Sequence, residues 1–236
     1  MLMVYNRLNN IQNWLLAGNC ELCVARLDSS TTVLCDACEG SLTRPGLCCD
    51  ICAADLPGID DSPVCGQCQK QPPAFDCVSA ALVYGEPVSG LIHDLKYNKK
   101  LYLAPALGDL LAKSIKVKHN KLPDVLLPVP LHRSRLRQRG FNQSLEIAKP
   151  VSRVLGVEID SHLVARIRNT DPQTGLKPVH RARNVKRAFK VVRPVEGKRI
   201  ALIDDVMTTG HTVNAVAQIL KKAGAKEVLV WVVARA

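Results

Sequence analysis

The sequence predicts an α/β protein, a largely parallel sheet with interleaved helices, preceded by a small cysteine-rich module. Two observations carry this. From residue 78 onward, apolar runs of strand length alternate with stretches of helical periodicity, the pattern of repeated βα units. Before that point periodicity is scarce, and eight of the ten cysteines fall into four CxxC pairs.

At the N-terminus, Leu2, Val4, Leu8, Ile11, Leu15 and Leu16 recur at near-helical spacing, which predicts an amphipathic helix over 1–18 that packs on a neighbour. Residues 19–77 form the cysteine module. Cys20 and Cys23, Cys35 and Cys38, Cys49 and Cys52, and Cys65 and Cys68 are the pairs, with eleven residues between the first two pairs and twelve between the last two. Each CxxC turn aims two thiolates at one ion, and a second turn completes a tetrahedron, so the count fits one or two structural Zn2+ ions. Large apolar residues are few here, so metal would supply the folding energy. A thioredoxin-like redox motif would need a surrounding βαβ pattern, and a disulfide framework suits an oxidising compartment. Spacing leaves open whether the pairs combine sequentially or interleave. Cys48 and Cys77 read as ordinary small buried residues, and "QPPAFDC" as a linker.

From residue 78 to 236 the pattern predicts strands at about 78–84, 124–129, 162–168, 187–192, 199–203 and 227–233, with helices at about 88–96, 102–118, 141–155 and 211–223. A chain of 236 residues with 47% apolar and 22% charged residues can bury a proper core. Its longest apolar runs fall well short of the roughly 20 residues a membrane helix needs, so no membrane insertion is expected and the chain reads as cytoplasmic. The net charge of +11 is concentrated: residues 131–199 hold 17 Lys/Arg against 5 Asp/Glu. One region is built to meet anions.

The stretch "ALIDDVMTTGHTVN" gives that charge a destination. An apolar strand ends in Asp204 and Asp205, a tight loop follows, and a helix with an apolar stripe begins. Ligands of open α/β sheets bind outside the carboxyl ends of strands. Thr208, Thr209, Gly210 and Thr212 before and at a helix N-terminus offer N–H and hydroxyl donors, a phosphate site. Two carboxylates would repel that phosphate unless they meet something else. Sugar hydroxyls with Mg2+ close by satisfy them, so the ligand predicted is a ribose 5-phosphate group. The loop is neither a Walker A nor a GxGxxG motif. An N-cap with an ordinary turn is the plain alternative.

"ALIDDVMTTGHT" resembles the phosphoribosyl-pyrophosphate (PRPP) motif of type I phosphoribosyltransferases. With the cysteine pairs, "KQPPAFDCVSAALVYGEPVSGLIHDLKYNKK", "LPVPLHRSRLRQRGFNQS" and "DPQTGLKPVHRARNVKRAF", the chain resembles the ComF/GntX family along nearly its whole length. The resemblance implies a type I phosphoribosyltransferase-like, Rossmann-like sheet with helices on both faces, behind a zinc-ribbon-like four-cysteine module. It further implies a link to natural competence and the handling of imported single-stranded DNA. Carried over by position, Asp204 and Asp205 become ribose-hydroxyl contacts and Thr208, Thr209, Gly210, His211 and Thr212 the 5-phosphate loop. Leu131, His132 and Arg133 become the pyrophosphate loop, which in such enzymes often holds a strained peptide. No base-binding hood is identifiable in residues 85–105, so the acceptor is not named.

Two basic stretches suit pyrophosphate, because guanidinium groups are bidentate and permanently charged. The first holds Arg133, Arg135, Arg137 and Arg139. The second holds Lys177, His180, Arg181, Arg183, Lys186 and Arg187 and would be the flexible loop that closes over PRPP. Of these, Arg139, Lys177, Arg181 and Arg183 are the pyrophosphate candidates. The reaction expected is displacement of magnesium-bound pyrophosphate from ribose C1 by an unidentified acceptor. Two alternatives are a DNA-handling module, bound through its basic region to single-stranded DNA or to competence proteins, and a PRPP sensor without turnover. An aromatic content of 4% disfavours a stacking platform. The resembled fold allows a homodimer.

Overall fold

The computed structural model describes residues 18–27, 33–56, 58, 62–168 and 188–236. The expected helix over 1–18 therefore lies outside the described residues, save Gly18. The chain divides into two compact units, Met1–Thr43 and Arg44–Ala236.

In the first unit, Cys20 and Cys23 lie on a tight turn closed by Val24 N–H donating to Cys20 O (2.9 Å) and Cys20 N–H to Ala25 O (2.7 Å). Cys35 then starts helix α1 (Asp36–Ser41). The second unit opens with the same construction. Ala53 N–H donates to Cys49 O and Cys49 N–H to Ala54 O, both at 2.8 Å, and Cys65 starts helix α2 (Gly66–Lys70). In both turns the residue after the second cysteine is left-handed, Val24 at φ 63° and Ala53 at φ 52°. A β-branched residue tolerates that region poorly, so the turn is held by its surroundings. The two modules are one structural repeat.

The second unit continues with β1 (Cys77–Val83), α3 (Val88–Tyr97), α4 (Leu103–Lys118), β2 (Val125–Pro128), α5 (Arg133–Arg139), α6 (Gln143–Leu155), β3 (Val164–Arg166), β4 (Phe189–Val191), β5 (Arg199–Met207), α7 (His211–Lys222) and β6 (Glu227–Arg235). Four strands form one parallel sheet in the order β1-β6-β5-β2. The segments expected as strands at 162–168 and 187–192 shorten to β3 and β4. They pair antiparallel in a separate two-stranded sheet, while the main sheet is parallel throughout, as expected.

Side chains alternate along each strand, which gives the sheet two apolar faces. On one, Val125, Leu127, Ile200, Leu202, Val228 and Val230 cluster with Val213, Val216, Ala217 and Leu220 of α7 and with Leu163, Val164 and Phe189. The other carries Leu126, Ala201, Ile203, Leu229 and Trp231, all at most 1% exposed, beneath α4 and α6. Those two helices approach closely at Gly108. A Cβ there would stand 2.2 Å from Pro150 Cγ and 2.6 Å from Ile147 O.

The sequence drew the domain boundary near residue 78; the compact units part after Thr43 instead. Cys49, Cys52 and Cys68 join the core of the sheet unit. The expected linker is equally tied down. Phe75 is 5% exposed, Ala74 N–H donates to Asn214 Oδ1 (2.7 Å), and Asp76 accepts from Val228 N–H (2.7 Å) and Lys221 (2.7 Å). Cys48 and Cys77 are half-buried rather than core. Among the described residues no helix is long and apolar enough to cross a membrane.

Candidate functional site

The site is built at the carboxyl end of β5. The strand runs four residues further than the sequence suggested, to Met207, so both acids lie on it. Thr208 and Thr209 are exposed at the turn, and Gly210 enters α7 at φ 72°. A Cβ at Gly210 would stand 2.7 Å from Met207 Cε, so both backbone and space select glycine. The first intrahelical bond of α7 is Asn214 N–H to Gly210 O (2.9 Å), and no side chain caps the helix. The N–H groups of the first turn and the helix dipole therefore face the loop together. Asp204 and residues 206–213 line a pocket of about 50 Å³ there. That is room for a few waters, or for one phosphate group.

Asp204 and Asp205 differ. Asp204 is half-buried and lines the pocket; its Oδ1 accepts from Ser144 Oγ (2.8 Å) and from the Asp205 N–H (3.0 Å). Asp205, 3% exposed, is ion-paired through Oδ2 with Lys96 of α3. Burial, then the neighbouring Asp205 charge, pushes the Asp204 carboxyl up to about 8, against the pull of Lys96 and Ser144. Burial pulls the Lys96 ammonium down, but the Asp205 and Asp204 charges outweigh it and hold the group above its ordinary value.

Arg166 also feels the charge of Asp204. Burial first, and then the Arg135 charge, lowers Arg166 of β3 to about 10, while Asp204 opposes the shift. Arg139 bonds Gln143 Oε1 at the start of α6 and lies 5.6 Å from the Tyr97 ring centroid. Sequence reasoning missed Lys96, Ser144 and Arg166. Nothing in a single sequence brings Lys96 to a carboxylate 109 positions away.

The segment Leu131–Arg133 leads from β2 into helix α5. His132 has extended dihedrals (φ −68°, ψ 147°) and stands at the start of helix α5. The His132 ring caps α5, taking Ser134 N–H at 3.2 Å and contacting Ser134 Oγ at 2.8 Å. Arg133 is the first residue of α5, not part of a loop. Lys177, Arg181 and Arg183 lie outside the described residues.

The cysteines resolve the pairing that spacing left open: Cys20, Cys23, Cys35 and Cys38 form one group, and Cys49, Cys52, Cys65 and Cys68 the other. The sulfurs of each group all lie within 4.8 Å of one another. A Zn–S bond of about 2.3 Å in a tetrahedron implies an S···S edge of about 3.8 Å. Cys23–Cys35 stand at 3.7 Å and Cys52–Cys65 at 3.6 Å. Burial raises the Cys20 thiol, but N–H groups of Cys23, Cys35 and Leu22 bring it down to about 6, while bonding from Cys35 and Cys23 drives Cys38 up to about 12. One thiolate is stabilised by backbone and the last is opposed by its neighbours, a donor set that a dication relieves. Among the described residues only these two groups gather three or more such ligands.

Sequence comparison adds the family. The Phosphoribosyl transferase domain model matches residues 142–236. "DNA utilization protein YhgH" of Escherichia coli K12 is 37% identical over 92% of this chain and 97% of its own length. The chain belongs to the ComF/GntX family. A second ComF relative, "Competence protein F" of Haemophilus influenzae, is 33% identical over 92% of this chain and 96% of its own. Among solved structures, a purine phosphoribosyltransferase from Pyrococcus horikoshii aligns at 20% identity and TM-score 0.33, over 53% of this chain and 67% of that one. The matched domain begins at Asn142, so it spans α6, β5, the acidic pair and the phosphate-sized pocket of this ComF/GntX chain.

Proposed function

We propose that the chain binds PRPP at the β5–α7 loop and transfers its phosphoribosyl group to an acceptor, releasing pyrophosphate. The observation that carries this is the uncapped N-terminus of α7 behind Gly210, opening on a phosphate-sized pocket with Asp204 on its wall. Thr208, Thr209, Gly210, His211 and Thr212 would hold the 5-phosphate through N–H and hydroxyl donors. The acidic pair would serve the ribose hydroxyls. Leu131, His132, Arg133 and Arg139, with Lys177, Arg181 and Arg183, remain the pyrophosphate candidates.

In the reaction the C1–O bond to pyrophosphate breaks as C1 bonds the acceptor nucleophile, whose proton passes to solvent. Positive charge develops on the sugar ring, and positioning with charge stabilisation does most of the work. Magnesium bound with PRPP would neutralise the leaving group. The two cysteine groups would each hold a structural zinc. Cysteine clusters arranged for zinc suit a reducing compartment, hence a cytoplasmic location, and relatives' names such as "Competence protein F" point to a link with competence.

The experiment is pyrophosphate release from PRPP with magnesium and a panel of purine and pyrimidine bases, amines and single-stranded oligonucleotides. Release that needs an acceptor and is lost in D204N supports transfer. Binding without release under every acceptor supports a PRPP sensor.

A second reading, a single-strand-binding module, is favoured by one observation. Tyr84, Tyr97 and Tyr102 are 40%, 65% and 50% exposed, and the latter two flank Lys99 and Lys100. Exposed rings beside cations are what base stacking uses. Salt-sensitive oligonucleotide binding that falls in Y97A, with no PRPP binding, would select it.

A further inference from the structure

The second cysteine group stands directly behind the phosphate loop. Cys49, Cys52 and Cys68 share one buried cluster with Phe75, Met207 and Val213, and the last two of these also line the pocket. Phe75 Cε1 lies 3.9 Å from where a Gly210 Cβ would stand.

Hydrogen bonds tie both ends of the loop to the same module. At the front, Arg235, the last residue of β6, donates from Nε to Cys52 O (2.9 Å) and from Nη1 to Met207 O (3.1 Å). Cys52 supplies one of the four sulfurs of the group, and Met207 immediately precedes Thr208. A guanidinium is planar and its donors are fixed relative to one another, so a shift of one carbonyl is passed to the other. At the back, Asn214 N–H donates to Gly210 O (2.9 Å), and Asn214 Oδ1 accepts the N–H of Ala74 (2.7 Å), six residues beyond Cys68.

These ties have a thermodynamic consequence. Metal at the group draws four thiolates together and sets the Cys49–Cys52 turn, and with it the Cys52 carbonyl. With the group empty that turn relaxes, and ordering Met207 and the loop falls to the ligand. Whatever factor one ligand adds to the affinity of the other is returned in equal measure.

We propose that Arg235 is a positioning residue that couples the second cysteine group to the phosphate loop, so that zinc at that group and PRPP at the β5–α7 loop each tighten the binding of the other. This rests on the PRPP reading and adds a regulation of that site. Zinc supply then sets how well the chain holds PRPP.

The test uses the full zinc-loaded chain and C20S/C23S, which keeps zinc at the second group alone, each with and without R235M or R235K. A chelating dye withdraws the zinc in the presence and absence of PRPP with magnesium, calorimetry gives PRPP affinity, and thermal melts check folding. In C20S/C23S, PRPP should raise about 10-fold the dye concentration that removes half the zinc. The native chain should show that protection for one of its two ions. R235M should bring the ratio close to one and weaken PRPP binding about 10-fold. R235K, charged but without the rigid fork, should restore the melt and little of the coupling. A lowered melt alone moves no ratio, because each variant is compared with itself. PRPP that binds C20S/C23S without protecting its zinc would overturn the proposal. So would protection that survives intact in R235M, or protection of the ion lost in C20S/C23S instead of the one retained. A native chain that binds no PRPP would overturn the phosphoribosyl reading and this proposal with it, a result distinct from the others.

Discussion

Replacing Gly210 with Ala perturbs the candidate phosphate loop and little else. At φ 72° an L-residue is disfavoured by about 1–2 kcal/mol. The new Cβ would also lie 2.7 Å from Met207 Cε. Met207 is 4% exposed, but the clashing atom ends a flexible side chain, so it turns aside at roughly 0.5–1.5 kcal/mol. Together these come to about 1.5–3.5 kcal/mol. If the loop keeps its shape, the cost lowers stability, at about 2–4 °C of melting temperature per kcal/mol in a domain of this size. If the loop relaxes, the first-turn N–H groups of α7 turn from the pocket and PRPP binding must restore them. Affinity then falls by roughly tenfold per 1.4 kcal/mol. Thermal melts and PRPP calorimetry on G210A together should recover the full amount. A variant with native melting and native affinity would refute the reasoning.

Other perturbations test the same geometry. The native chain should hold two zinc ions, one of them lost in C20S/C23S with the melt of the α/β unit unchanged, whereas C49S/C52S should lower that melt because Cys49 and Cys52 lie in its core; metal analysis with calorimetric melting checks both. Gly108→Ala should destabilise by roughly 1–3 kcal/mol, since the Cβ would meet Ile147 O and Pro150; a native melt would contradict the close α4–α6 approach. Asp204 binds its proton more tightly folded than unfolded, so ligand-free stability should decline as pH rises between about 4, the unfolded carboxyl's range, and about 8. PRPP affinity should rise over the upper part of that window as the ribose acceptor ionises, and D204N should lack that rise.

The legible parts of the sequence were those set by local rules. Four CxxC pairs announce themselves by spacing, and β5 with α7 by an apolar run, a glycine and an apolar stripe. The basic helix α5 was hidden because Leu136 is its only large apolar residue, so "RSRLRQR" carries no helical stripe. The segments at β3 and β4 look like sheet strands because they are β-branched and aromatic, but apolar pattern does not fix which strand a segment pairs with. The consequence for the site was larger. The sequence reading ended the strand in Asp204 and Asp205, just before the loop. Extending the strand to Met207 turns them to opposite faces, and one finds Lys96. Long-range pairing of that kind leaves no trace in residue spacing.

The most direct test of the central claim is the heat of PRPP binding to the zinc-loaded full chain with magnesium, measured beside D204N. The account predicts one PRPP per chain for the native protein and a loss of about 10- to 100-fold in affinity for the variant. Native protein that releases no heat and shows no competition at any PRPP concentration, or a D204N isotherm that overlays the native one, would contradict it.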